Sequence, residues 1–267
     1  MQINGSDRKG PVMGIPHLWA DHEANRHDWR LLPASAQNPT WRAARVAVLM
    51  LIGAMPVTTI PLSVFGLLPL DAAARFIVLP FVVLYVLLVR QRSASSAWAV
   101  RGLLAGLLGV AAYDAMRLPL VAVHLWPDFI PRLGGWILGT GVPNIVVGYT
   151  WRWLGDGGGI GIAFFMVCGV LGGTRLRILL RHPIALSIGY GIFVWSGLLA
   201  TVVFSARGAE LLFRLTPASF VLSLLGHLVY GSVLGVYLRR ALAKGAAPIL
   251  LKAAVPAAPE ETMDLVS

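Results

Sequence analysis

The chain has 267 residues, of which 57% are hydrophobic and only 13% charged, about half the charged fraction of an average soluble domain. With a mean hydropathy of +0.74, this composition excludes a soluble fold. The net charge of +10 sits mostly in short loops and one tail beside apolar segments, so it reads as membrane topology and attraction to anionic lipid headgroups, with no nucleic-acid partner.

In chain order, residues 1–42 form a polar arm that contains Arg8, Lys9, Arg26 and Arg30 and has no apolar core near its start. No cleavable signal peptide is therefore expected, and the first span directs insertion. Trp19, Trp29 and Trp41 lie among basic residues, and HDWRLLP reads either as a short amphipathic helix on the headgroups or as a structureless arm. His17, His22 and His27 are spaced by five and so do not share a helical face, which leaves no metal site expected there.

Apolar runs of about 20 residues mark membrane-crossing helices. They predict spans at 45–69, 72–90, 98–123, 183–204 and 217–238. Two shorter segments lie between the third and fourth of these. LGGWILGTGVPNIVVGYT, at 133–150, has five glycines and Pro143; GGGIGIAFFMVCGVLGG covers 157–173. Counting both as crossings gives seven spans, and counting one gives six.

Arginine placement decides between the two counts. Arg90, Arg92 and Arg101, then Arg175, Arg177 and Arg181, then Arg239, Arg240 and Lys244 form three basic clusters. Six crossings with a cytoplasmic N-terminus put all three inside, as the positive-inside rule requires. The outer segments then keep Arg75, Arg132, Arg152, Arg207 and Arg214, accompanied by Asp71, Asp128, Asp156 and Glu210. The expectation is an all-α transmembrane bundle over 43–240 with six spans, both termini cytoplasmic, and 133–150 as a re-entrant or interfacial segment on the outer side; seven spans is the alternative. The tail at 241–267 is Ala/Pro-rich and is predicted to be disordered. A single cysteine, Cys168, excludes an intramolecular disulfide and cysteine-based metal centres. The chain has no clear internal repeat of the kind that marks two-halved transporters.

The residues that bear chemistry sit inside these apolar runs. In AAYDAMRLPL, Asp114 and Arg117 are three apart, on one helical face and within reach of each other. Charges at this depth turn inward and find partners, either to lock helix packing or to line a polar pathway. In GHLVYGSVLG, His227 lies at the predicted depth of Asp114, with Tyr230 one turn further in on the same face, so these two helices are expected to meet. Gly231 and Gly235, like Gly102 and Gly106, form small-xxx-small faces that let backbones approach. The run LGDGGGIGIAFF does not carry a phosphate-loop pattern. It is read as the thinned start of a helix, with Asp156 near its N-terminus and Arg152 as a candidate partner.

The order YDAMR, GYTWRWLGDGGGIGIAF and GHLVYGSVLG resembles a group of uncharacterised bacterial polytopic membrane proteins in which a YDxxR motif precedes a GYxYHxxNG-type segment and a terminal GHxxYGxxLG helix. The resemblance covers roughly residues 98 to 240. This chain departs from it at Trp151, Arg152 and Asp156, where the group's pattern has histidine and asparagine. It implies a bacterial inner membrane and supplies no reaction.

The leading functional expectation is a polar cavity in the outer half of the bundle, built from Tyr113, Asp114, Arg117, His227 and Tyr230, with Arg152 and Asp156 as secondary members and 133–150 as a lid. It would bind or pass a small polar or amphipathic ligand. The rival is a non-catalytic scaffold or accessory subunit whose glycine faces receive a membrane-protein partner or a second copy. Membrane lipids are the one partner common to both. An enzyme ranks third, since no nucleophile–base pairing or second deep carboxylate is legible; neither catalytic residues nor a cofactor are assigned.

Overall fold

A computed structural model describes residues 38–249. The N-terminal arm, with Trp19, Trp29, His17, His22, His27 and HDWRLLP, and the tail from residue 250 lie outside the described residues. Six helices are long and apolar enough to cross a membrane, and no strand occurs among the described residues. The spans are α1 (Pro39–Val64), α2 (Leu70–Arg90), α3 (Ala94–Ala122), α5 (Ile145–Leu171), α6 (Pro183–Phe204) and α7 (Pro217–Ala243); α4 (Ile130–Leu138) is a short helix between α3 and α5.

The helix starts follow from local chemistry. The first N–H groups of a helix have no intrahelical acceptor, and side chains at the start of each span supply one. Asn38 accepts from the Thr40 N–H at 2.9 Å, Ser93 from Ser96 at 3.2 Å and Asn144 from Val147 at 2.9 Å. Thr216 and Ser219 cap α7 reciprocally. At the arginine-rich end, Arg45 is buried and donates to Ser95 Oγ at 3.0 Å, Ser96 Oγ at 2.7 Å, the Leu88 carbonyl and Gln91 Oε1. It thereby ties the start of α1 to the carbonyls that α2 leaves free at its C-terminus.

The spans form an arc in which α1 packs on α5, α5 on α3, α3 on α7 and α7 on α6. One core, around Trp98, Phe165, Met166, Leu234 and Leu238, fills the arginine-rich half. A second, around Val64, Leu70, Leu133 and Leu212, fills the other. Outside the arc, α2 leaves Phe76, Leu79, Val82, Val83 and Leu87 exposed, as a face in contact with lipid requires. The predicted glycine faces lie inside the arc. A methyl group on Gly106 would strike the Gly157 carbonyl, and one on Gly161 the Gly102 carbonyl, so α3 and α5 meet backbone to backbone. Gly231 and Gly235 do the same for α7 against Ser187 and Ile184 of α6.

The expected six-span bundle is therefore present, but the segment 133–150 is not one re-entrant or interfacial unit. It divides after Gly139, which takes the left-handed backbone (φ 72°) that closes α4, and from Ile145 onward it is the first part of α5. Nor do the glycines at 155–159 start a helix: they lie in the middle of α5, in a π-helical stretch over Trp151–Gly159. Arg152 and Asp156 consequently lie inside the fourth span and not in an outer loop. The physical reason is that glycine weakens an isolated helix, whereas here close contact with α1 and α3 replaces what the missing side chains would have contributed. The start of the predicted disordered tail is also docked: α7 continues to Ala243, the Trp98 indole N–H donates to the Ala247 carbonyl at 2.7 Å, and the Ile249 N–H donates to Gly169 at 2.8 Å.

Six crossings place the 90–101 and 174–182 loops on one face and the 139–144 connection on the other. Single cysteines at the exposed Arg92 and Arg177 in a Cys168→Ser background are expected to share one reactivity toward an impermeant thiol reagent, and a cysteine at Gly141 the opposite one. Equal labelling of Gly141→Cys and Arg177→Cys in intact cells would contradict this arrangement.

Candidate functional site

The two charges of YDAMR point to different helices. Asp114 is 1% exposed and lies eight residues from the end of α3, about 12 Å along the axis. Its carboxylate accepts from Arg152 of α5 through Nε at 2.8 and 3.1 Å and through Nη2 at 2.6 Å, a forked, charge-assisted pair. The Trp153 indole N–H adds a further bond at 3.1 Å. Arg117 approaches Asp114 only to 3.8 Å. Its hydrogen bonds go outward, to Asp128 at 2.5 Å and to the Tyr149 hydroxyl at 3.2 Å, and that hydroxyl donates to the other Asp128 oxygen at 3.0 Å. Arg117, Tyr149 and Asp128 thus latch the α3–α4 loop to the head of α5.

Beside the first pair, the Arg152 guanidinium lies 4.7 Å from the centre of the Tyr113 ring, a cation–π contact. Tyr113 meets His227 edge to face at 5.6 Å, and its ring fills the space left by Gly226 of α7. The expected meeting of the third and last spans occurs through Tyr113, not through Asp114. His227 Nδ1 lies 2.7 Å from the Ser223 carbonyl. A carbonyl only accepts, so Nδ1 carries the proton, and in a neutral ring Nε2 is then an acceptor. The Tyr230 hydroxyl donates to the Gly157 carbonyl at 2.6 Å, which takes up a backbone group in the π-helical stretch.

These side chains border a cavity of about 670 Å³ that reaches α1, α3, α5, α6 and α7. Tyr113, Arg117, Arg152, Asp156, His227 and Tyr230 line it; Asp114 does not, and stands behind Arg152 as its anchor. The remaining wall is mainly apolar, with Val57, Ile60, Val110, Phe193 and Leu198. Asp156, proposed from sequence as a partner of Arg152, makes no ion pair within 4 Å among the described residues. Its Oδ1 and the Trp151 Nε1 are buried without a hydrogen-bond partner among the described residues. Sequence reasoning missed Asp128, Tyr149 and Trp153. The missing signal was Asn144, a helix cap directly after Pro143, which would have started the span at 145 and put Arg152 at membrane depth.

Removing one member of a buried pair strands the other, at a typical cost of about 3 to 5 kcal/mol, whereas replacing both by apolar residues is close to neutral. Asp114→Leu and Arg152→Leu are each expected to lower Tm in detergent strongly, and the Asp114→Leu/Arg152→Leu double variant to regain most of the loss. The Asp114→Leu/Arg117→Leu double variant is not, because it still leaves Arg152 unpaired. Equal recovery in both doubles would contradict the pairing described.

No protein-family model, curated protein or solved structure matches this chain, and the functional reading stands on the geometry of the site.

Proposed function

We propose that the protein, seated in a bacterial inner membrane with its arginine-rich face toward the cytoplasm, binds or passes a small polar or amphipathic ligand within the cavity between α1, α3, α5, α6 and α7. The observation that carries this reading is the convergence of polar side chains, Tyr113, Arg117, Arg152, Asp156, His227 and Tyr230, on a chamber of about 670 Å³ that is otherwise apolar. That size and lining match sites that take a single small molecule. Ionisable residues at membrane depth mark such sites because an unused charge there is costly to keep. The basic clusters at 90–101, 174–182 and 239–244 support the orientation through the positive-inside rule.

The scaffold reading loses its original motive, because the glycine faces of α3 and α7 are filled by α5 and α6 of the same chain. Native mass spectrometry after mild extraction tests the choice. The wild-type chain is expected to retain a small molecule, and Leu198→Trp, which fills the chamber, to lose it while keeping its Tm. Retention of the same mass by Leu198→Trp, or an empty wild-type chain bound stoichiometrically to another protein, would count against the cavity reading.

A further inference from the structure

The cavity has a closed end and an open side. Toward the face opposite the arginine clusters, Trp126, Phe129, Leu212 and Phe213 cover it. This cover is tied down on both flanks. Phe129 and Phe213 pack at 6.0 Å, and Arg132 donates to the carbonyls of Glu210 at 3.2 Å and Leu212 at 3.4 Å. Among the described residues, α1 and α6, the two ends of the arc, have no comparable closure along most of their length. They join near one end, where Ser205 Oγ donates to the Val64 carbonyl at 3.1 Å. Further in, Tyr190 of α6 reaches across to the Ile160 carbonyl of α5 at 3.2 Å. Between Tyr190 and Val202, which is buried in one core cluster with Ile60 and Val64 of α1, lie 11 residues of α6, about 18 Å of helix. In that interval the cavity residues Thr58, Phe193, Ser196 and Gly197 are exposed on the surface that faces hydrocarbon.

Resting on the cavity reading above, we infer that the ligand is an uncharged amphipathic lipid of the bilayer, entering sideways between α1 and α6 with a hydroxyl-type head that donates to Asp156. The apolar wall suits a hydrocarbon body, and the window opens where such chains lie. The head chemistry follows from the charges. Arg152 and Arg117 are already paired with Asp114 and Asp128, so an anionic head finds no free cation and meets the unpaired Asp156. A cationic head must also shed its water to enter a chamber that is otherwise apolar, a cost that a neutral hydroxyl does not carry. A neutral donor can bond the Asp156 carboxyl where that residue borders the chamber, and in a neutral ring His227 Nε2 is a second acceptor on the same wall.

The test places the full chain in phosphatidylcholine nanodiscs with three diazirine probes of identical acyl chains: a diacylglycerol, its methyl ether and a phosphatidic acid. Above the background on lipid-facing residues 82–87 of α2, the diacylglycerol is expected to label residues 54–61 and 193–201. The methyl ether should label these about fivefold less, the effect of one lost hydrogen bond, and the phosphatidic acid no better than the ether. Ser196→Trp, which plugs the window at an exposed position, should reduce diacylglycerol labelling to background with Tm unchanged; Thr58→Trp repeats the plug from α1. Equal labelling by diacylglycerol and methyl ether, preference for phosphatidic acid, or full labelling of both plugged variants overturns the inference. Any of these results together with a retained water-soluble ligand leaves the cavity reading standing, whereas an empty chamber in native mass spectrometry overturns both.

Discussion

A carboxylate as fully enclosed as Asp114 needs an opposite charge beside it, and its pairing with Arg152 sets what the surrounding helices have to do. For Arg152 to reach Asp114, α5 must hold it at the same depth as the YDAMR motif, and it must approach α3 closely. The contact of Gly102 and Gly106 with Gly157 and Gly161 supplies that approach. The π-helical stretch over Trp151–Gly159 carries both Arg152 and Asp156 on the chamber wall. Wide helical turns of this kind recur at functional sites because they re-aim side chains that a regular helix would turn elsewhere. Once Arg152 is fixed on Asp114, its guanidinium forms the platform for Tyr113, and Tyr113 sets the approach of α7 through Gly226 and His227.

Arg117 performs a separate task that the same motif makes available. One turn nearer the membrane surface than Asp114, it ends in the Asp128–Tyr149 pair and so connects α3 to the loop that bears Trp126 and Phe129. The cover of the chamber therefore hangs from a charged latch, while its floor rests on a charged anchor. Two arginines and two aspartates that a glance along the sequence places in one pair and two outer loops are divided between these functions.

Much of this was legible from composition and periodicity. The count of six spans followed from where the arginines fall, and the close-packing roles of Gly102, Gly106, Gly231 and Gly235 followed from their spacing. Tyr113, Arg117, His227 and Tyr230 do line one chamber. The fourth span was misplaced because its glycines argue against a helix when each residue is taken for its own propensity; their stability comes from neighbours that sequence periodicity does not display. That one displacement concealed the partner of Asp114, since it leaves Arg152 and Asp156 in an outer segment, paired with each other and only secondary to the site. Asp128 was similarly hidden, because nothing local indicates that a loop aspartate after α3 will turn back onto Arg117. Local capping chemistry at Asn144 carried the missing boundary, and helix continuity through the glycines carried the rest.

The central claim is that Asp114 of α3 and Arg152 of α5 form a direct forked pair within the membrane. Solid-state NMR dipolar recoupling between Asp114 labelled with ¹³C at Cγ and arginine labelled with ¹⁵N on the guanidinium, in lipid bilayers, measures this contact without disturbing it. The account predicts strong, short-range dephasing of the Asp114 carboxyl that disappears in Arg152→Lys, where the fork is lost, and persists in Arg117→Lys. Dephasing that persists in Arg152→Lys and vanishes in Arg117→Lys would show that Asp114 pairs within its own helix, and would contradict the arrangement on which the chamber, its cover and its lateral window depend.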